Sequence, residues 1–333
     1  MKKTKLIMLA ASLSIFASCE KEIETPGIAE VQKLETPAME FRPLENNSFN
    51  IKLPDNTDSK VKSKIGDYNI SLFSAEYITA NGSEELGTTI FFTNRGNKML
   101  SSDFVPGLAY DGTSDISYYI DKNRPSNDID VKVSTAAIGR AMDSWRNVNC
   151  SDIGLYEIPY DEVEEGEELQ EYGVFAYFYG IFSGNDFGGA PLYIADVYHG
   201  GWLGAEFFDY LTERGSEFIL GVTLTYTFTD EDGNLVDTDN NGKADVAFRE
   251  IYYNDTFTWN DGRTYDIETI ALHEAGHGLS QAHFGEAFRT NANGKIHFSP
   301  RAVMNATYSG IQTAVEKTDE AGHCANWAEW PNK

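Results

Sequence analysis

Residues 273–283 read His-Glu-Ala-Gly-His-Gly-Leu-Ser-Gln-Ala-His. In a helix, side chains four residues apart lie on one face, so His273 and His277 can direct their imidazoles at a single ion. Glu274 lies one step round the helix, where it can reach a water beside that ion without being a ligand. A His-Glu-x-x-His helix is typical of zinc hydrolases.

A third histidine follows the predicted helix. A hydrolytic zinc needs three protein ligands and an open fourth position, and His283 supplies the third ligand if the helix stops and the chain turns back. Gly278 and Ser280 lie in the interval where that turn must occur. The plainer interpretation is a chance match, with Glu274 as an ordinary surface carboxylate. Half of the six histidines in the chain fall within this segment, which favours the metal site.

The same residues resemble the extended zinc motif of the metzincin peptidases, His-Glu-x-x-His-x-x-Gly-x-x-His. The segment Ala302–Tyr308 resembles the methionine turn of the matrixins, a metzincin subgroup, with Met304 as its methionine. Further upstream, apolar residues from Ala137 to Trp145 recur on one face at helical spacing and predict a helix that begins near Ser134. Within it, Ala136–Trp145 is similar to the first matrixin helix, and Gly200–Phe208 is similar to the strand at the edge of the matrixin cleft. These matches occur in the same chain order as in the family.

The resemblance implies an α+β fold for residues 105–333, with a twisted mixed sheet, an active-site helix and a C-terminal helix. It implies a zinc endopeptidase in which Glu274 is the general base. It further implies that Leu203 and Gly204 lend backbone groups to an extended polypeptide substrate, and that Tyr308 lines the specificity pocket. For the side chains of Trp202, Leu203, Phe207 and Phe208 a place in the core is the favoured interpretation, and it is compatible with a backbone role.

This sequence departs from the family pattern at several positions. Ser280 replaces a glycine at a sharp backbone turn, where a positive φ costs a non-glycine residue about 1 kcal/mol. Asn305 and Ala306 replace the usual Tyr-Pro beside the specificity pocket. Ala205 stands where matrixins place a ligand of a second, structural zinc, so we expect no such zinc, and His199 alone could not rebuild that site.

A second metal pattern lies between residues 237 and 245. Oxygen-bearing side chains occupy positions 1, 3, 5 and 9 of an EF-hand-like loop, with Gly242 at position 6. The predicted calcium ligands are Asp237, Asp239, Asn241 and Asp245. Phe248 stands at position 12, where such loops carry a glutamate, and no helix flanks the segment convincingly. A solvated acidic turn is the alternative.

The N-terminus predicts export. Residues 1–18 combine a basic start with a short apolar stretch, which is typical of a signal peptide. The tetrapeptide Phe16–Cys19 resembles a bacterial lipobox, which implies cleavage before Cys19 and acylation of its thiol. The alternative is an ordinary secretory signal with an incidental cysteine. We therefore expect an extracytoplasmic protein held by lipid on a bacterial membrane, at the outer membrane or the cell surface.

Composition shifts suggest the domain organisation. Residues 19–64 are polar and predict a tether, and residues 65–104 carry short β-prone runs that predict a small β-rich module. This module could be an inhibitory propeptide or only a spacer. Cys150 and Cys324 remain as one even pair in an exported chain, and the sequence leaves a disulfide and two buried thiols open.

Charge and composition exclude some functions. The chain of 333 residues has a net charge of −26, with no cluster of Lys and Arg, so we expect no nucleic-acid partner. Its hydrophobic content of 41% is enough for a substantial core. Two functions remain, both with a monomer expected. One is a lipid-anchored zinc endopeptidase, and the other is a catalytically silent surface lipoprotein that keeps a metzincin fold and only binds its partner.

Overall fold

A computed structural model describes part of the chain. The described residues are 32–33, 48–49, 68–83, 86–87, 89–91, 100–159, 171–290 and 294–332. The predicted signal peptide at 1–18, the lipidation site Cys19 and most of the predicted tether at 19–64 lie outside them. Among the described residues, no helix is both long and apolar enough to cross a membrane.

The secondary structure alternates short strands, long strands and helices along the chain. The strands are β1 (Gln32–Lys33), β2 (Ser48–Phe49), β3 (Asn69–Thr79), β4 (Thr89–Phe91), β5 (Ser102–Asp103), β6 (Ser117–Ile120), β7 (Tyr156–Glu157), β8 (Val197–Leu203), β9 (Ile219–Thr229), β10 (Ala244–Asn254), β11 (Glu286–Arg289) and β12 (Ile296–Ser299). The α-helices are α1 (Val131–Arg146), α2 (Val174–Ser183), α3 (Ala205–Leu211), α4 (Ile267–Gly278) and α5 (Lys317–Trp327).

A nine-stranded mixed sheet organises the molecule. Its order is β2-β3-β9-β10-β8-β6-β7, with β4 paired to β3 and β5 paired to β10. The neighbouring strands β10, β8, β6 and β7 run parallel to one another, whereas β9 is antiparallel to both β3 and β10. β1, β11 and β12 form a separate three-stranded sheet. The predicted α+β class with a mixed sheet is therefore confirmed.

Helices cover both faces of the large sheet. On one face, α1 and α4 pack over the sheet, and Trp145 and Leu272 are fully buried there. On the other face, α2 and α3 contribute Phe175 and Phe207 to a second cluster. Successive strand residues point to opposite faces, so β9 and β10, which are covered on both sides, are buried at every residue. The two clusters together make this a three-layered structure.

The first helix is close to its prediction. The sequence places its start near Ser134, and the structure begins it at Val131, because the side chain of Asp130 accepts a hydrogen bond from the Lys132 amide and caps the helix. The predicted apolar face is confirmed as buried. Its residues are Ala137, Ile138, Ala141, Met142 and Trp145.

The segment predicted as the cleft-edge strand, Gly200–Phe208, is only partly a strand. β8 ends at Leu203 and the chain continues as α3 from Ala205, so the prediction of a strand is wrong for residues 205–208. β8 pairs with β10 along most of its length but with β6 only at residues 197–199, so its first half lies inside the sheet, which is the position that its unbroken burial favours.

The segment predicted as a separate β-rich module contributes to the main sheet. β3 pairs with β9 along almost its entire length, from Asn69 opposite Thr229 to Thr79 opposite Ile219. All but the first of its eleven residues are buried. The predicted boundary at residue 104 therefore does not coincide with an edge of this sheet.

Cys150 and Cys324, for which the sequence left open a disulfide or two buried thiols, form a disulfide. Cys150, just after α1, is bonded to Cys324 in α5, with their Cα atoms 5.7 Å apart. The bond closes a loop across 174 residues of sequence separation. Such a bond restricts the unfolded chain and typically adds about 2–4 kcal/mol to the free energy of unfolding.

Candidate metal centre

The helix α4 carries the first two histidines of the predicted site. Asp266 caps it by accepting hydrogen bonds from the Thr269 amide and hydroxyl, at 2.8 and 2.6 Å. The helix is buried on nearly all sides between β9, β10 and α1, which fixes the rotation of its side chains. His273 and His277 therefore lie one turn apart on a single face, as their spacing predicts.

The structure brings the three predicted histidines together. The Nε2 atoms of His273 and His277 are 3.1 Å apart, and each lies 3.0 Å from Nε2 of His283. His273 and His277 are fully buried, whereas His283 is half-buried. The group can hold one metal ion, because an ion about 2.1 Å from each nitrogen fits above a triangle of this size.

Backbone carbonyls fix the protonation of two of these rings. Nδ1 of His273 lies 2.6 Å from the carbonyl oxygen of Val303, and Nδ1 of His277 lies 2.8 Å from that of Gln281. A carbonyl only accepts, so both Nδ1 atoms carry hydrogen and both neutral rings present an Nε2 lone pair to the centre of the triangle. Lone pairs facing one another at this distance repel, and a cation between them removes the repulsion.

Burial disfavours protonation at two of the three rings. It lowers the pKa of His273 and of His283 well below the usual histidine range, with a further lowering from the other histidines. Neutral imidazole is the form that binds metal. These two rings therefore stay in the metal-binding form over the ordinary pH range.

The chain turns back where the sequence predicts. Ser280 adopts a φ of 68°, the left-handed conformation expected at the sharp turn predicted there. Its hydroxyl compensates for part of the strain, because it accepts a hydrogen bond at 2.9 Å from the buried guanidinium of Arg249. The same guanidinium donates to the carbonyl of Gly278 at 3.0 Å. Arg249 thus holds both sides of the turn that leads to His283.

The predicted methionine turn lies directly against α4, the helix that carries His273 and His277. A Cβ atom added to Gly276 would lie 2.3 Å from Sδ of Met304, so only glycine leaves room for this methionine. Asp319 in α5 holds the turn by accepting from the amides of Val303 and Met304, each at 3.2 Å. Val303 in turn orients His273. Sequence analysis missed Asp319, whose only signal was an acidic residue in the first turn of a helix.

Glu274 is completely buried beside the histidines. Its Oε2 accepts from the hydroxyl of Thr223 at 2.6 Å, and its Oε1 accepts from the amide of Ile78 at 3.3 Å. Gly221 in β9 leaves space for this carboxylate, because a Cβ atom there would lie 3.0 Å from its Cγ. Burial raises the pKa of Glu274 to about 7, a value suited to proton transfer near neutral pH.

A second buried carboxylate contacts the cluster from β3. Oε2 of Glu76 lies 2.5 Å from Nδ1 of His277, and both side chains are 1% exposed. Burial lowers the pKa of His277, but the contact with Glu76, the charge of Glu274 and the carbonyl of Gln281 together outweigh it, so the pKa of this ring is raised. Sequence analysis missed Glu76, because nothing local distinguishes a glutamate in a β-prone run.

The predicted substrate residues are not gathered at the histidines. Leu203 and Gly204 line a surface cleft of about 540 Å³ with Arg124 and Glu206, and no histidine lines that cleft. Tyr308 is 2% exposed, and its ring packs 5.4 Å from that of Tyr265. It therefore lies in the core rather than in an open pocket. The substrate contacts of these residues stay predictions.

The acidic loop does assemble its carboxylates. Asp237, Asp239 and Asp245 each place an oxygen within 4.8 Å of the others. Burial has the largest effect on the carboxyl group of Asp245, and together with the negative charges of the neighbouring carboxylates it raises the pKa to about 6. The fourth predicted ligand, Asn241, lies among them, with its Nδ2 3.0 Å from Asp239 Oδ2. The sequence spacing thus predicts this cluster correctly, and its ion stays a prediction.

Comparison with known proteins adds no identification. No protein-family model matches the chain, and a search of curated proteins finds no match.

Proposed function

We propose that this protein is an exported, lipid-anchored, zinc-dependent endopeptidase of metzincin type that acts on extended polypeptides. The observation that carries the proposal is the convergence of three Nε2 atoms beside the buried carboxylate of Glu274. A protein that needed only a structural metal has no use for a buried carboxylate directly after the first ligand.

The donor set favours zinc over other ions. Three neutral imidazoles with no fourth side-chain donor in the described cluster match the catalytic sites of zinc hydrolases, which leave one position open. Calcium and magnesium prefer oxygen ligands, and the cluster offers none. Copper and nickel also bind imidazole, so the metal found in the purified protein tests this choice.

Glu274 has the main chemical role in the proposed reaction. Zinc held by the three histidines would polarise the scissile carbonyl and acidify a water. Glu274 takes a proton from the water that attacks this carbonyl and returns it to the amine that leaves. Thr223 and Ile78 keep the carboxylate in place through their hydrogen bonds, so that it need not reorganise during proton transfer.

The export and anchoring part of the proposal rests on residues 1–19 alone. Their basic start, short apolar stretch and Cys19 favour a lipoprotein signal. A protein of this kind faces polypeptides outside the cytoplasm, which suits a peptidase and also suits a binding protein. Mass spectrometry of the membrane-extracted protein tests it, since an acylated N-terminal Cys19 is expected.

One observation favours a second function, the catalytically silent binding protein. An extended peptide that adds to a sheet needs a strand with a free edge. β9, the strand next to Glu274, is paired with β10 on one side and with β3 on the other. The amide of Ile78 in β3 also contacts the proposed base directly. A fold that keeps β3 in this place leaves no room for a substrate strand there.

One experiment separates the two functions. The full chain is purified, its zinc content is measured, and its cleavage of an unfolded protein and of a broad peptide library is followed with and without a chelator. The matched variant is Glu274→Gln, which keeps the shape of the side chain and removes the base.

The endopeptidase is expected to bind one zinc per chain and to lose about 10²–10⁴-fold in cleavage rate in the variant, with zinc retained. Equal inertness of wild type and variant, both with zinc bound, would establish the silent binding protein instead. Wild type and variant cleaving at the same rate would remove Glu274 from the mechanism.

A further inference from the structure

We propose that the acidic loop between β9 and β10 is a calcium site formed by Asp237, Asp239, Asn241 and Asp245, and completed by Asp103 from β5. The site is separate from the histidine cluster, and its test does not depend on the proposed function. Three features of the described residues favour an ion here: the shape of the loop, a buried oxygen of Asp245 without a hydrogen-bond partner, and a carboxylate from a distant segment of the chain.

The loop has the backbone of an oxygen cage. Gly242, at position 6, has a φ of 83°, and Asn240 before it has a φ of 58°, so the chain makes the sharp turn that such loops require. The first ligand position is already oriented, because the two oxygens of Asp237 accept from the amides of Asn241 and Gly242 at 3.1 and 2.9 Å. The carboxylates therefore converge without rearrangement of the backbone.

Asp245 provides an independent sign of a missing partner. The residue is 0% exposed, and its Oδ1 is buried with no hydrogen-bond partner among the described residues. Its other oxygen accepts from the amide of Thr238 at 3.0 Å. A buried, unpaired carboxylate oxygen beside Asp237 and Asp239 is strongly unfavourable unless a cation neutralises it.

Asp103 replaces the glutamate that the loop lacks. The residue at position 12, Phe248, is fully buried in β10 and stacks on Tyr226, so it cannot contribute. Asp103 lies beside Asp245 in the parallel pairing of β5 and β10, and it is only 2% exposed. Its carboxylate lies 3.1 Å from Nδ2 of Asn241, at the border of the cluster.

The charge balance also favours a cation. The carboxylates of Asp237, Asp239 and Asp245 meet at this place, that of Asp103 borders them, and the ammonium group of Lys243 lies 3.5 Å from Asp103. The amide nitrogen of Asn241 points at Asp239 and Asp103, where it partly neutralises them. A half-turn of this amide, which would break the hydrogen bond that its oxygen accepts from the Lys243 amide at 2.8 Å, would present that oxygen and complete a set of oxygen donors. Such a set suits calcium rather than zinc, which prefers nitrogen and sulfur.

Binding at this loop would stabilise the turn before His283 as well. Ser102, next to Asp103 in β5, accepts from Arg249 Nη2 through its hydroxyl at 3.2 Å and its carbonyl at 3.3 Å. Arg249 in turn holds the turn at Gly278 and Ser280. An ion that holds β5 against the loop therefore also holds Ser102, which accepts hydrogen bonds from the guanidinium of Arg249.

The test is a calorimetric titration of calcium chloride into the chelator-treated full chain, with thermal unfolding measured in parallel. We expect one site with a dissociation constant of about 10⁻⁶–10⁻³ M and a rise in melting temperature on addition of calcium. Asp239→Asn and Asp245→Asn are expected to weaken binding at least ~10-fold, and Asp103→Asn to weaken it measurably. The matched control is Asp232→Asn, an exposed aspartate in the preceding turn.

Several results would overturn the proposal. Absence of heat and of any melting shift at about 10 mM calcium excludes the site. Equal binding by wild type and Asp239→Asn, or an equal loss in Asp232→Asn, indicates only general attraction to an acidic protein. Magnesium binding as tightly as calcium would overturn the choice of ion, and unchanged affinity in Asp103→Asn would remove that residue from the site. If Asp245→Asn does not fold, the affinity of Asp239→Asn decides, because Asp239 is only half-buried.

Discussion

The histidine cluster and the acidic loop are held in different ways. The imidazoles of His273 and His277 are oriented by carbonyls outside their own helix, at Val303 and Gln281, and are fully buried. The carboxylates of Asp237 and Asp239 are instead oriented mainly by amides within their own loop and are half-buried. One site is organised by tertiary packing and the other largely by local backbone geometry.

This difference predicts how each site responds to change. A cluster held by packing presents its donors before any ion arrives, and a change in a supporting residue moves the ligands. A half-solvated loop adapts its side chains to the ion and tolerates changes around it. We therefore expect the histidine cluster to be sensitive to substitutions in residues that never touch a metal.

The largest effect is expected from loss of a ligand. His277→Ala removes one of three converging nitrogens, and zinc affinity should fall by far more than the ~10–100-fold that supporting residues contribute. Equilibrium dialysis followed by metal analysis measures this loss. The control is His297→Ala in β12, whose ring stacks on Phe288 rather than joining the cluster. If His277→Ala still binds one zinc at wild-type affinity, the cluster is not the metal centre.

The next effect tests the packing comparison directly. Glu76→Gln keeps the shape of the side chain and removes the charge 2.5 Å from His277. Zinc affinity, measured by competition with a chelator, should fall about 10–100-fold because the ring becomes a weaker donor. The amide oxygen of glutamine can still accept from Nδ1 of His277, so the fold should be retained, which urea unfolding checks. Exposed Glu231→Gln is the control, and equal affinity in both variants would contradict a positioning role.

Two helix glycines provide a matched pair for packing under the cluster. Gly276→Ala places a methyl group 2.3 Å from Sδ of Met304, so overpacking should lower the free energy of unfolding by about 1–3 kcal/mol. Gly139→Ala in α1 meets nothing within 4 Å, and should raise stability by about 0.5–1 kcal/mol. Urea unfolding measures both. Changes of the same sign and size would mean that Met304 moves aside freely.

The smallest effect separates backbone strain from hydrogen bonding at Ser280. Both Ser280→Gly and Ser280→Ala lose the hydroxyl that accepts from Arg249, but only glycine adopts a φ of 68° without strain. The glycine variant should therefore be more stable than the alanine variant by about 1 kcal/mol in urea unfolding. Equal stabilities would show that the left-handed turn costs this chain little.

Local features of the site were predictable. The spacing of His273 and His277 requires only helix geometry, and the buried face of α1 follows from its periodicity. The acidic loop follows from its own positions and Gly242. In each case the residues concerned are close in sequence, so the pattern and the structure depend on the same short segment.

Distant contacts were not predictable. Glu76 and Ile78 reach α4 from β3, nearly two hundred residues earlier, as the separation of 196 between Ile78 and Glu274 illustrates. The position of the first half of β8 inside the sheet, rather than at its edge, depends on pairings with β6 and β10. No short pattern records which strands become neighbours, because strand order results from the packing of the whole chain.

The sequence by itself determined which groups are available: three histidines at helical and turn spacing, a glutamate beside them, a methionine turn and an acidic loop. The tertiary structure decided which ring nitrogens face the centre, that Glu76 and Asp319 support them, and that β3 lies along β9. The physical reason is that helix and turn geometry act over a few residues, whereas burial, ring orientation and strand order arise only when distant segments pack together.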